Sequence, residues 1–165
     1  MTKSQLLWTI ESGLRIGISY ASLRYWFFLK LNVFLSIVAL TSLWLSGYVF
    51  SGNHPGLSLV LNIVGSVSLI ADVILNVKGS VGYWSSMYEG YNSMLSEYTR
   101  VRNTASIPEL DALYSRVLDF DGKCKSVMNA LVVLARNEAC VQMGKPECKA
   151  KIHPFKSFTA NFFKW

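Results

Sequence analysis

The feature that most constrains this fold is a run of 20 residues without a charged side chain, residues 31–50 (LNVFLSIVALTSLWLSGYVF). As an α-helix it would be about 30 Å long, which matches the hydrocarbon core of a bilayer. The whole chain is 52% hydrophobic and only 16% charged, whereas about a quarter of the residues of a soluble domain are charged. The run therefore predicts a transmembrane helix.

A second apolar run, residues 57–77, follows the hexapeptide SGNHPG, whose Gly, Asn and Pro residues favour a turn. Its only charged residue is Asp72. We expect a transmembrane helical hairpin over residues 31–78, with spans at 31–50 and 57–77.

The distribution of Lys and Arg predicts the orientation of this hairpin. The turn contains neither residue type, whereas the opposite flanks carry Arg24, Lys30, Lys78, Arg100 and Arg102. Because cytoplasmic flanks are enriched in basic residues, we expect both termini to be cytoplasmic.

The segment before the hairpin, residues 1–30, combines apolar and basic side chains as an amphipathic N-terminal helix does. Two interpretations stay open at this point. The helix lies in the membrane interface and leads into the first span, or it packs on the rest of the protein.

Residues 79–144 predict a cytoplasmic pair of helices that pack through heptad seams. The first seam consists of Val81, Trp84, Tyr88, Tyr91, Leu95 and Tyr98. The second consists of Leu110, Leu113, Val117, Phe120, Cys124, Val127, Leu131 and Leu134. Ser106 and Glu109 have the spacing of a capping box at the start of the second helix. Gly144 and Pro146 predict its end.

Polar and small side chains recur on one face of each predicted span at 100° per residue. The expected pore-lining or oligomer-interface residues are Ser58, Asn62, Gly65, Ser66, Asp72, Asn76, Asn32, Ser36 and Ser46. A hairpin whose cytoplasmic ends lie near residues 31 and 77 sets Ser46 opposite Asn62. The same register sets Ser36 opposite Asp72 and Asn32 opposite Asn76.

This polar face has two competing interpretations. In one, its residues are rungs that let two helices pack closely, each contact contributing about 1 kcal/mol or less. In the other, several hairpins surround a polar axis lined by Asp72 and the Asn residues. A carboxylate at the centre of a span costs about 2.5–3.5 kcal/mol, which packing rungs offset poorly. A proton-carrying role for Asp72 is a third alternative.

The sequence predicts neither an enzyme nor a cofactor. His54 and His153 have no catalytic companions, and there is no glycine-rich phosphate loop. Asp119 and Asp121 in LDFDGKCK suggest a calcium loop, but its later ligands are missing. The three cysteines lack the spacing of a disulfide framework or zinc site. We expect no metal and no small-molecule substrate.

The basic tail, residues 145–165, alternates lysines with aromatic residues. The expected partner-binding residues are Lys149, Lys151, Lys156, Phe155, Phe158, Phe162, Phe163 and Trp165. Such a pattern suits an anionic membrane surface or a nucleic acid. A tail folded back on the cytoplasmic helices is the third alternative.

An amphipathic helix, a two-span hairpin with a short outer turn, and an aromatic-rich helical extension (GYWSSMYEGYNSMLSEY) occur in this order. Over residues 5–140 this layout resembles the SLATT-like and retron-associated two-transmembrane-helix effectors of bacterial anti-phage defence. The resemblance implies a toxin of the bacterial inner membrane that oligomerises and forms pores. A cytoplasmic sensor partner would restrain or trigger it, and its activation would cause abortive infection. The sensor is either a retron reverse transcriptase with its DNA–RNA product or a nucleotide-activated module.

The preferred hypothesis is accordingly a membrane effector that permeabilises or depolarises the inner membrane. A non-conducting membrane-anchored adaptor that recruits a cytoplasmic partner is the first alternative. A phage holin-like protein is the second, and a soluble helical protein that buries both apolar runs is the third.

Overall fold

The computed structural model describes residues 2–52, 54–124 and 127–162, and every regular element within these ranges is helical. The predicted all-helical class is therefore confirmed. The elements are α1 (Lys3–Ser51), α2 (Pro55–Ile74), α3 (Val77–Val101), α4 (Ile107–Asp121), α5 (Asn129–Gln142), a 3₁₀ turn (Pro146–Cys148) and α6 (Pro154–Phe158).

The chain divides into two compact units. The packed unit consists of Met1–Arg24 and Trp84–Trp165, and the apolar unit consists of Tyr25–Tyr83.

Helix α1 runs through the predicted boundary at residue 30 without a break. The sequence pattern predicts a boundary there between an N-terminal helix and a span. Residues 3–51 contain no proline, and the glycines are isolated, so nothing in the local sequence ends a helix there.

The core of the packed unit begins on the first part of α1. Leu6, Ile10 and Leu14 follow a spacing of four residues and are at most 2% exposed. Tyr98 of α3 donates its hydroxyl to the carbonyl oxygen of Leu7 at 3.1 Å. These side chains of the N-terminal segment therefore pack on the rest of the protein, which is the second of the two interpretations.

Helix α3 buries a seam that differs by one position from the predicted seam. Trp84, Tyr91 and Tyr98 are buried as expected, but Met87 is 4% exposed whereas Tyr88 is 40% exposed. The predicted seam with Tyr88 and the observed seam with Met87 both keep the heptad spacing. The long unbranched Met side chain fills the core, and Tyr88 keeps its hydroxyl near solvent.

The predicted second helix is two helices. Leu110, Leu113 and Val117 are buried on α4 as expected. The helix ends at Asp121, before Gly122, and α5 begins at Asn129. Because residues 122–124 and 127–128 are not helical, Val127 is 52% exposed and does not continue the seam.

The ends of these helices follow the local signals. The Glu109 carboxylate accepts hydrogen bonds from the Ser106 N–H at 2.7 Å and the Ser106 hydroxyl at 2.8 Å. These bonds, backbone first, lower the pKa of Glu109. Gly144 adopts φ +68° after α5, and the following Lys145 N–H donates to the Cys140 carbonyl at 2.8 Å. The predicted end near Gly144 is confirmed.

The apolar unit contains α2 and the second part of α1. Two helices, Lys3–Phe50 and Pro55–Ile74, are long and apolar enough to cross a membrane, and only 17% of the residues in each apolar window are buried. The predicted second span ended at residue 77, but α2 ends at Ile74. Asn76 adopts φ +45° between α2 and α3, a backbone region that Asn tolerates better than most residues.

Candidate functional site

The contact between α1 and α2 in the apolar unit is made of small side chains. All of its most buried members are Ala, Gly or Ser at spacings of three, four or seven residues. They are Ala39, Ser42 and Ser46 on α1, and Ser58, Gly65 and Ser68 on α2. Small residues in such a pattern let two apolar helices approach closely.

Ser46 and Ser58 form a reciprocal hydrogen-bonded pair at one end of this contact. The Ser46 hydroxyl lies 3.0 Å from the Ser58 carbonyl oxygen, and the Ser58 hydroxyl lies 3.1 Å from the Ser46 carbonyl oxygen. The two hydroxyl oxygens are 2.8 Å apart. The predicted partner of Ser46 was Asn62, so the observed register differs by four residues, about one helical turn.

Gly65 fixes the middle of the same contact. A Cβ atom at Gly65 would lie 3.2 Å from Leu43 Cγ and 3.4 Å from the Ala39 carbonyl oxygen. The antiparallel register that sets Ser46 beside Ser58 therefore also sets Ala39 beside Gly65.

Seven residues further along each helix, this register places Asn32 and Asp72 at the same level. The Oδ1 atoms of Asn32 and Asp72 are both buried, and neither has a hydrogen-bond partner within the described residues. The predicted partner of Asp72 was Ser36, which is exposed. At this level, two buried acceptor atoms thus have no hydrogen-bond partner within the described residues.

The remaining residues of the predicted polar face lie outside this contact. Ser36, Asn62, Ser66 and Asn76 are exposed. At 100° per residue, Asn62 and Ser66 lie about 40° and 80° around α2 from Ser58. Since α1 and α2 are antiparallel, Ser36 lies on the same flank of the pair. The structure therefore divides the predicted face into a buried contact and an exposed polar flank.

The tail of the packed unit folds back on α5 and α1. The Asn137 side chain donates to the Ala150 carbonyl at 2.8 Å and accepts from the Ala150 N–H at 2.7 Å. Thr159 and Ala160 are buried. The backbone of this segment is therefore folded back on the helices, as in the third alternative for the tail.

The predicted partner-binding side chains of the tail are nevertheless exposed. Phe155, Phe158 and Phe162 are 57%, 83% and 59% exposed. Lys149, Lys151 and Lys156 are also exposed. Phe163 and Trp165 lie outside the described residues. We call the exposed set Lys149, Lys151, Phe155, Lys156, Phe158 and Phe162 the tail surface.

Arg24 connects the tail to α1, a role that the sequence analysis did not assign. The residue is 5% exposed, and its guanidinium donates to the Asn161 carbonyl at 3.0 Å. Its guanidinium carbon lies 5.3 Å from the ring centroid of Trp84. Burial lowers the pKa of Arg24, and this effect is opposed by nearby Tyr20 and Cys124. Its only signal in the sequence was its position before the apolar run.

A cavity of about 270 Å³ in the packed unit brings together α1, α3 and the end of α4. Gly13 and Gly17 form one wall, and Tyr91 donates its hydroxyl to Asp121 at 2.5 Å. Asp121 stays partly exposed, but its neighbours displace enough water to raise its pKa, and the Tyr91 hydrogen bond opposes this change. No group of three or more His, Cys, Asp or Glu side chains in the described part of the chain could hold a metal ion.

No family model matches this chain, and neither a curated protein nor a solved structure matches it.

Proposed function

We propose that the protein is an integral membrane effector whose α1–α2 pair crosses the bilayer as a hairpin and whose copies assemble to permeabilise the membrane. The observation that carries this proposal is the exposure of large apolar side chains over the whole apolar unit. Leu40, Trp44, Val73 and Ile74 are between 69% and 78% exposed.

Exposure on this scale is unfavourable in water. Full burial of one such side chain contributes about 1.5–3 kcal/mol, and a continuous apolar surface marks contact with a membrane or a partner. The packed unit, by contrast, buries Leu6, Ile10 and Leu14 in an ordinary core. A hydrocarbon environment accounts for this difference between the units.

Basic residues support a cytoplasmic position for both termini. Residues 51–56 contain neither Lys nor Arg, whereas Lys30 and Lys78 lie near the other ends of the two apolar runs. In the proposed orientation, the packed unit lies on the cytoplasmic side of the inner membrane.

The exposed polar flank supports self-assembly. Asn62 projects from α2 among the exposed apolar residues Leu59, Val60 and Ile63. A side-chain amide in hydrocarbon is unfavourable unless it meets another polar group or water. Association of several hairpins through Ser36, Asn62 and Ser66 provides such an environment.

Asp72 supports a conducting assembly. Its unpaired Oδ1 atom lies level with that of Asn32, so each hairpin contributes an incompletely satisfied polar pair. Water or ions along the axis of an oligomer would satisfy both groups.

The cellular role follows from the resemblance in layout. The assembled protein would depolarise the inner membrane during phage infection and cause cell death or arrest. A cytoplasmic sensor, either a retron nucleoprotein or a nucleotide-activated module, would control it through the packed unit.

A non-conducting membrane anchor is the second candidate function. It is favoured by the Ser46–Ser58 pair and by Gly65, because these residues are fully used in packing α1 against α2. In that case the packed unit would recruit a partner, and Asp72 would have no part in ion flow.

The two candidates differ in their effect on membrane potential. We would induce the protein in bacteria, with neighbouring genes and phage where needed, and follow a voltage-sensitive dye. At equal membrane expression, Asp72→Asn and Asn62→Leu should each cause less depolarisation than the wild type. Thr41→Val is the matched control, because the Thr41 hydroxyl already donates to its own helix at Ile37. Depolarisation that is absent in every condition would contradict the permeabilising function.

A further inference from the structure

We propose that the tail surface binds anionic lipid headgroups of the leaflet that faces the packed unit, with its phenylalanine rings in the interfacial region. The inference rests on the membrane insertion of the proposed function and is independent of permeabilisation.

The tail is held by a residue that is close in sequence to the predicted span. The Asn161 carbonyl accepts a hydrogen bond from Arg24, the last residue of the packed unit on α1. The predicted hydrocarbon span begins at residue 31, seven residues later, which is about 10 Å along a helix axis. Each interfacial region of a bilayer is about 5–8 Å thick. The residue that holds Asn161 therefore precedes the predicted span in sequence by little more than the length of one interfacial region.

The segment of α1 between these points has the character of an interfacial segment. Trp26 is 53% exposed, and Lys30 is exposed at the start of the uncharged run. Exposed Trp and basic residues at this depth are typical of the membrane interface. The residues that follow Arg24 in sequence are thus typical of a membrane interface.

The tail surface combines exposed phenylalanine rings with lysines. Phe158 is 83% exposed, although the adjacent Thr159 and Ala160 are buried. A phenylalanine ring in water is unfavourable, whereas the acyl boundary accepts it. Lys149 and Lys151 are exposed on the same tail and complement anionic headgroups in charge.

The backbone of the tail is already fixed by side chains of the packed unit. Asn137 holds Ala150, and Arg24 holds Asn161, so the exposed side chains are presented from both ends of the segment. The spans already anchor the chain. Lipid binding by the tail would instead hold the packed unit against the leaflet.

The test places spin labels on the full-length chain in vesicles. Cys124 and Cys148 are replaced by Ser and Cys140 by Ala, and a nitroxide is attached at Phe158→Cys. The protein is reconstituted in phosphatidylcholine alone or with phosphatidylglycerol. Accessibility to a water-soluble nickel chelate should fall several-fold at position 158 when phosphatidylglycerol is present. Ser115→Cys, on the exposed face of α4, is the matched control and should not change.

Two further substitutions, made together, identify the cause. Lys149→Gln combined with Lys151→Gln should remove the dependence on phosphatidylglycerol at position 158, since these lysines supply the charge. Equal accessibility of positions 158 and 115 in both lipid mixtures would overturn the inference. Shielding of position 158 by a single-stranded oligonucleotide, with no effect of lipid, would also overturn it and indicate a nucleic-acid surface.

A label at Trp44→Cys separates this inference from the proposed function. If position 44 lies in hydrocarbon while position 158 stays in water, insertion stands and the lipid-binding tail is wrong. If position 44 is itself in water, membrane insertion is wrong, and the inference fails with it. Circular dichroism of each labelled variant verifies that its helical content is unchanged.

Discussion

Gly65 lies so close to Leu43 that a Cβ atom on the glycine would stand only 3.2 Å from Leu43 Cγ. Gly65→Leu should therefore push α1 and α2 apart and destabilise their contact by about 1–3 kcal/mol. Thermal unfolding in detergent, followed by circular dichroism, measures the loss. Gly47→Leu is the matched control, because no atom lies within 4 Å of a Cβ at that position. Equal effects of the two substitutions would contradict the observed contact.

Asn32 and Asp72 should be energetically coupled. Both carry a buried Oδ1 atom without a hydrogen-bond partner, and the register places them at one level. In a double-mutant cycle with Asn32→Leu and Asp72→Leu, we expect non-additivity of about 1 kcal/mol in unfolding free energy. A cycle that pairs Ser36→Leu with Asp72→Leu should be additive. Additivity of the Asn32 and Asp72 substitutions, together with coupling between Ser36 and Asp72, would instead support the register predicted from the sequence.

Gly17 and Gly13 should respond in opposite directions to the same substitution. A Cβ at Gly17 would lie 2.5–2.7 Å from ring atoms of Tyr91, whereas no atom lies within 4 Å at Gly13. The Tyr91 ring cannot retreat easily, because its hydroxyl is bonded to Asp121. Gly17→Ala should cost about 1–3 kcal/mol, and Gly13→Ala should gain up to about 1 kcal/mol of helix propensity. Chemical denaturation of the two variants provides the comparison.

Tyr98 should stabilise the packed unit through its hydroxyl. It donates to the Leu7 carbonyl at 3.1 Å, and burial, followed by the charge of Glu11, raises the pKa of Tyr98. Tyr98→Phe should reduce the unfolding free energy by about 1 kcal/mol. Tyr88→Phe, on the exposed side of α3, should change it little. A larger loss from Tyr88→Phe would mean that the seam of α3 is assigned incorrectly.

Asp121 should make the packed unit less stable as the pH rises. Its pKa is raised in the folded state, mainly by burial, so the folded protein holds this proton more tightly than the unfolded chain. Stability is then highest below the unfolded pKa of about 3.9 and falls as the pH rises through the window between the two values. Asp121→Asn keeps an acceptor for Tyr91 and should remove this fall.

The measurement is the unfolding free energy of wild type and variant from about pH 3 to pH 7. The advantage of Asp121→Asn should grow with pH and then level off. Asp119→Asn, an exposed carboxylate on the same helix, is the control and should lack this trend. A constant difference between Asp121→Asn and wild type would mean that the surroundings of Asp121 do not raise its pKa.

The apolar runs and the end signals were the parts of this fold that the sequence predicted well. An uncharged stretch the length of a bilayer permits few structures, and the Ser106–Glu109 and Gly144 signals act through neighbouring residues only. Such features depend on local chemistry, so they can be identified without knowing the packing.

Register and the buried side of each helix were harder to predict. Shifting the α1–α2 contact by four residues keeps a similar set of small residues on the same face, and the Ser46–Ser58 bond cannot be distinguished from Ser46–Asn62 by periodicity. Likewise, Met87 and Tyr88 fit the α3 seam about equally well by spacing. The role of Arg24 depends on a residue 137 positions away, so no local pattern could reveal it.

The hydrogen bonds between Asn137 and Ala150 hold the tail by its main chain. The lysines on either side of Ala150 take no part in this attachment. The number of lysines in the tail can therefore change during evolution while the path of its backbone stays the same. A segment held in this way could be matched to membranes of different charge by substituting one residue at a time, at little cost to folding.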